Sequence, residues 1–202
     1  RSGTERVVHN LKELFPIILT DEDIKYADKF FSKNSIPEKN LIGAHMGSSP
    51  RWPSRAWPED IMKDFIRKAK GKGFEILLFG GPMEKERQEK IIKELKSEGI
   101  EVHRNDPHNT DREFYALVNR CNKMVTSDSY AMHVSLALKK PTITLFFCTS
   151  PDEIEGYGLL KKIISPKLYD FFPERMNEYS EDLVKSISPE EVLDALQVSG
   201  TY

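Results

Sequence analysis

Along this chain, short runs of consecutive apolar residues alternate with longer stretches in which apolar residues return every three or four positions. A short run with no polar alternation reads as a strand buried on both faces, and the three-or-four spacing reads as an amphipathic helix. Leu41 to Met46 is the first such run, and it ends in a glycine-bearing loop. Pro58 then opens a helix, at the position where a missing N–H loses no partner. Ile61, Phe65 and Ala69 follow at helical spacing, and Gly71 and Gly73 end the helix. Phe74 to Phe79 is the second strand, and Gly80-Gly81-Pro82 turns the chain into a charged amphipathic helix over Glu84 to Ser97. Ile100 to His103 is a third, weaker strand. Asn109 or Thr110 caps a helix that carries Phe114, Leu117 and Val118 on one face. Lys123 to Thr126 is the fourth strand, Ser129 to Leu138 a helix stopped before Pro141, and Thr142 to Phe147 the fifth strand. Lys162 to Ser165 is the candidate sixth. Pro189 to Gln197 closes the chain as a helix capped by Ser188.

Strands with continuous apolar cores, separated by helices, predict an α/β fold: a Rossmann-like, doubly wound parallel sheet of about six strands with right-handed crossovers. Residues 41–202 would form that domain. Residues 1–40 differ, with two polar helices at roughly 5–14 and 21–33 and no strong strand, and read as a connecting segment packed on the sheet. Parallel sheets of this kind bind ligands beyond the carboxyl ends of their strands. The loops after Met46, Phe79, His103, Thr126 and Phe147 are therefore the ones to inspect.

Composition narrows the classes. The 202 residues carry a formal net charge of −2, so no overall basic field draws the chain to nucleic acid or to an anionic membrane. No apolar run approaches the ~20 residues of a membrane span. Cys121 and Cys148 sit inside apolar patterns and read as buried reduced thiols. No His, Cys, Asp and Glu residues share metal-ligand spacing, so no protein-held metal is expected.

The loop after the first strand runs from Gly47 through Ser48, Ser49, Arg51 and Arg55 to the helix at Pro58. A flexible glycine, two hydroxyls, a forked guanidinium and a helix N-terminus together suit an anion, although a polar surface loop has the same composition. It lacks the Gly-Lys-Ser/Thr ending of a Walker-type loop. After the second strand, Glu84 reads first as an acid complementing a helix dipole; its other reading is a ribose acceptor. After the fourth strand, Asp128 is placed to cap the next helix, with the Ser129 and Tyr130 N–H groups turned to the cleft. His133, one turn on, reads first as a structural histidine, and His45 closes the first strand. Trp52 and Trp57 could pack or stack on a base.

Taken in order, these loops resemble the donor-binding half of family 9 glycosyltransferases, the ADP-heptose–lipopolysaccharide heptosyltransferases of two-domain GT-B fold. The matching segments are Ile42 to Ser49, Arg55-Ala56-Trp57-Pro58, Phe79 to Glu84, Ser127 to His133, Pro141 to Phe146, and Gly156-Tyr157-Gly158. Each is weak alone; the ordered set over roughly residues 40 to 165 is specific. The resemblance implies that Gly47, Ser48, Ser49 and Arg55 hold the donor diphosphate, that Glu84 binds the ribose, and that Asn109 lies near the adenine. It places Asp128, Ser129 and Tyr130 by the diphosphate and sugar, with His133 supporting that loop. Arg55 and Asp128 would be the catalytic residues. The family usually has Lys at Arg55 and Gly at Tyr130.

The implied reaction is inverting sugar transfer from an ADP-sugar donor in lipopolysaccharide core biosynthesis, without a cofactor. The implied acceptor is a lipid-linked oligosaccharide, bound by an N-terminal domain ahead of the matching segment. A chain lacking that domain would be a donor-binding half inactive by itself. The implied location is cytoplasmic, peripheral at the inner membrane. Two other readings are a non-catalytic nucleotide-binding module and a GT-B nucleotide-sugar epimerase. The absence of Gly-x-Gly-x-x-Gly after the first strand argues against a dinucleotide.

Overall fold

The computed structural model describes residues 16–47 and 50–198. Ser48, Ser49 and the expected helix at 5–14 lie outside the described residues. Helix α1 (Asp21–Asn34) starts at Thr20, whose hydroxyl accepts the Asp23 N–H while the Asp23 carboxylate accepts the Thr20 N–H. Strand β1 (Leu41–His45) follows, then α2 (Glu59–Gly71), β2 (Glu75–Leu78), α3 (Lys85–Ser97) and the two-residue β3 (His103–Arg104). Helix α4 (Asp111–Arg120), β4 (Lys123–Ser127), α5 (Tyr130–Ala137), β5 (Thr142–Phe146) and β6 (Leu160–Ile164) complete the sheet layers. Two single turns, α6 (Leu168–Phe171) and α7 (Glu181–Val184), lead to α8 (Pro189–Gln197).

The six strands are all parallel, in the order β3-β2-β1-β4-β5-β6. Helices cover both faces, which is why the strands are apolar throughout. Ile42, Ala44, Ile76, Leu78, Val125, Ile143 and Leu145 point to a core shared with α2, α3 and α8. Leu41, Leu77 and Met124 point the other way, to a core with Ala27 and Phe31 of α1 and Leu117 and Val118 of α4. Gly43 is required on that face. A Cβ there would lie 2.3 Å from the Met124 sulfur and 2.8 Å from the Phe79 ring.

The expected elements and the structure differ at several ends, and the single turns at Leu168–Phe171 and Glu181–Val184 are not among those expected. Pro58 is the N-cap of α2 rather than its first residue, so its extended φ and ψ end the loop instead of beginning the helix. The third strand is His103–Arg104, displaced from 100–103, because it pairs only with Leu77 and Leu78 at the sheet edge. The sixth strand begins two residues earlier, at Leu160. Thr110 caps α4 and Ser188 caps α8, each by a reciprocal capping box.

Candidate functional site

The strand order runs outward from β1 in one direction to β2 and β3 and, across β1, to β4, β5 and β6. The ends of β1 and β4 lie side by side, with His45 paired in register to Thr126. The chain leaves these two ends in opposite directions and opens a crevice at the switch point.

Arg55 projects over that crevice from a loop fixed on both sides. Before it, the buried Ser54 hydroxyl donates to the Glu178 carbonyl and accepts the Ser180 N–H, both at 2.9 Å. After it, the Trp57 ring is buried in the core and its Nε1–H donates to the Ile187 carbonyl at 2.9 Å. The Arg55 guanidinium lies 3.5 Å from the Asp128 carboxylate and 4.6 Å from the Trp52 ring centre. Trp57 is core and cannot be a platform for a base, while the half-buried Trp52 ring carries Arg51 and Arg55 against it.

Asp128 does not cap α5. Ser129 occupies the cap position and forms no side-chain cap bond, while the Asp128 carboxylate turns to Arg55. A charge-assisted contact in a partly buried place outweighs a neutral amide partner. Burial pushes the nearby Cys148 thiol up to about 11, which leaves it protonated and unreactive.

Gly47 lies where three loops meet. The Ser127 hydroxyl donates to its carbonyl at 3.3 Å, and a Cβ on Gly47 would sit 2.8 Å from Glu84 Oε1. Glu84 itself accepts the Gly81 N–H at 2.9 Å, so its carboxylate braces the turn after β2 at the head of α3. Asn109 connects the loop after β3 to α1 and α4. It donates to the Tyr26 hydroxyl at 2.5 Å and to Glu113 at 3.2 Å, and accepts from Asn105 at 3.0 Å.

A cleft of about 150 Å³ opens between these loops, walled by His45, Gly80, Gly81, Asn109, Phe114 and Tyr130 among others. The His45 ring stands edge-on to Phe114, with centroids 6.4 Å apart. Burial pushes its pKa below the ordinary histidine value against a smaller opposing pull from Glu84, so the imidazole is neutral at pH 7. Tyr130 lies with its ring along Phe114 and its hydroxyl 2.5 Å from that of Tyr115. His133 is exposed on α5.

Five buried polar atoms of the described residues have no protein partner: His45 Nδ1, Arg55 Nε, Arg104 Nη1, Ser129 Oγ and Thr149 Oγ1. All belong to the last residue of a strand or to the loop just after one. Buried polar groups are nearly always partnered, and these five all lie at the carboxyl end of the sheet. Among the described residues no group of three or more His, Cys, Asp or Glu side chains forms a metal-type cluster.

Two residues here carried no functional signal in the sequence. Buried Asn105 accepts the Gly80 N–H at 3.0 Å, and buried Gln88 donates to the Phe79 carbonyl at 2.9 Å. The Asn-Asp-Pro run after β3 is a turn signal that could have pointed to Asn105; an amide inside a charged helix offers nothing comparable for Gln88.

The profile of glycosyltransferase family 9 (heptosyltransferase) matches residues 15–183. The chain belongs to this family. Over 205 residues, this family 9 chain is 28% identical to lipopolysaccharide heptosyltransferase 2 of Escherichia coli, a match covering 96% of the chain and 57% of that relative. Its fold is similar to the crystal structure of the glycosyl transferase family 9 from Veillonella parvula, with a TM-score of 0.72, 23% identity, and coverage of 89% of this chain and 52% of that one. It is also similar to an E. coli heptosyltransferase solved with ADP, at a TM-score of 0.57, 17% identity, and coverage of 78% and 43%. The chain thus spans about half the length of the proteins it matches.

Proposed function

We propose that this family 9 chain is the donor-binding half of an inverting glycosyltransferase of lipopolysaccharide core biosynthesis, with ADP-heptose as the donor. Residues 41–202 form the nucleotide-sugar domain in this reading, and residues 1–40 connect it to an acceptor domain. The observation that carries it is Arg55: a guanidinium poised over the β1–β4 switch point, paired with Asp128 at 3.5 Å, with its buried Nε still lacking a protein partner. A cation with an unspent, dry N–H is what a diphosphate leaving group requires.

In the reaction, a base from the acceptor domain removes the acceptor hydroxyl proton. That oxygen attacks the anomeric carbon in line, and ADP leaves with its new charge facing Arg55, Ser48, Ser49 and the N-terminus of α5. Asp128 holds Arg55 in place, Glu84 and Gly47 mark the ribose end, and Asn109 the base end. The acceptor is a lipid-linked sugar, which brings the enzyme to a membrane surface. No helix among the described residues is long and apolar enough to cross a membrane. The family match does not favour the epimerase or the non-catalytic reading.

Calorimetric titration tests the site. ADP is expected to bind in the micromolar to millimolar range, and Arg55→Ala to weaken it at least tenfold. Equal affinities would remove Arg55 from the site.

A further inference from the structure

The nucleotide reading rests on the loops around Arg55; the cleft walled by His45, Gly80, Phe114 and Tyr130 carries a separate question. Tyr130, the first residue of α5, is 54% exposed, unusually open for a large side chain that lines a cleft. It is nevertheless held at two points. One ring face lies along Phe114, with centroids 6.2 Å apart and planes 25° from parallel. The hydroxyl is 2.5 Å from that of Tyr115 on α4, so the ring is tied at its tip to the neighbouring helix. Phe114 is itself set edge-on against Phe79, at 5.4 Å and 87°, which fixes the surface Tyr130 leans on. The result is an aromatic ring held at two points, on a residue with more than half of its surface open to solvent. The amides of Asn105 and Asn109 and the backbone of Gly80 and Gly81 line the same cleft.

The cleft's volume of about 150 Å³ falls below the roughly 300–1,000 Å³ of sites that enclose a whole small-molecule ligand. It suits one flat ring system. A flat heteroaromatic group gains most from a fixed aromatic face.

Resting on the proposed nucleotide function, we infer that Tyr130 is a specificity-determining residue whose ring stacks on the base of the donor, and that Tyr115 is the positioning residue that keeps the ring in its stacking orientation. The diphosphate is not part of this contact. Tyr130 therefore discriminates ligands with a base from ligands without one.

The test compares the whole chain with its Tyr130→Ala, Tyr130→Phe and Tyr115→Phe variants, titrating each with ADP, adenosine and inorganic pyrophosphate. Thermal melts establish that each variant is folded. Tyr130→Ala is expected to weaken ADP and adenosine by the same factor, about tenfold, and to leave pyrophosphate within twofold. Tyr130→Phe restores base affinity to within about threefold, because the ring remains; Tyr115→Phe, which breaks the same tie, matches it. Unchanged or tighter ADP binding by Tyr130→Ala overturns the inference, and so does an equal loss for pyrophosphate. Those results leave the nucleotide site standing. A wild-type chain that binds neither ADP nor pyrophosphate overturns the functional reading together with this one.

Discussion

Replacing Asn105 by alanine asks how the loops after β2 and β3 are held together. The side chain is buried and makes three hydrogen bonds: it accepts the Gly80 N–H at 3.0 Å, and donates to the Asp106 carbonyl and to Asn109 Oδ1, each at 3.0 Å. Alanine leaves the Gly80 N–H buried without a partner, which costs about 1–3 kcal/mol. The two lost donations add roughly 0.5–1 kcal/mol each. A total near 3 kcal/mol corresponds to a fall in Tm of roughly 6–12 °C for a chain of this length. Urea denaturation followed by circular dichroism measures the free energy directly. Asn105→Asp should be at least as damaging, because it sets a buried carboxylate against the Asp106 carbonyl and Asn109 Oδ1, both acceptors. A loss below about 1 kcal/mol for the alanine variant would refute the view that this side chain clamps the two loops.

Two further outcomes test the fold around the site. Gly43→Ala should cost about 1–3 kcal/mol in urea denaturation, since its Cβ must displace the Met124 sulfur, the Phe79 ring and the Cys121 sulfur, all within 2.9 Å. Asp23 has its pKa lowered from 3.8 to about 2, first by its hydrogen bond from Arg112 and then by the Thr20 N–H. A depressed carboxylate contributes stability that is complete above its unfolded pKa and is lost as pH falls through the folded one. Stability should therefore decline between pH 4 and pH 2, and Asp23→Asn should flatten that part of the curve.

The strand-and-helix sequence was legible because both faces of the sheet are covered. That makes each strand an unbroken apolar run, bounded by glycine, proline or a capping residue such as Thr110 or Ser188. β3 was harder to read: two residues at a sheet edge leave almost no pattern, and only the pairing of His103 and Arg104 with β2 defines it. In the site, Arg55 and Asp128 were both visible as individual residues, but their partnership was not, because capping is a local signal and a contact across 73 positions is not. Glu84 shows the same limit. Local reasoning saw a helix N-terminal acid, which its bond to Gly81 reflects, while its contact with Gly47 comes from the three-dimensional approach of two loops. Asn105 and Gln88 belong wholly to that second kind of information.

The strand order also has a kinetic consequence. β1 sits at the centre of the sheet, yet on one side its partner is β4, and the Leu41 N–H is bound by Asn122, 81 residues further along the chain. During synthesis, β1, β2 and β3 can assemble as soon as they emerge, but the inner edge of β1 stays unpaired until β4 arrives. Long-range parallel pairing is slow, and an unpaired apolar edge invites association with other chains. Chains ending before about residue 128 should therefore accumulate as aggregates, and the step that commits the whole molecule to its native state should be the docking of β4 onto β1.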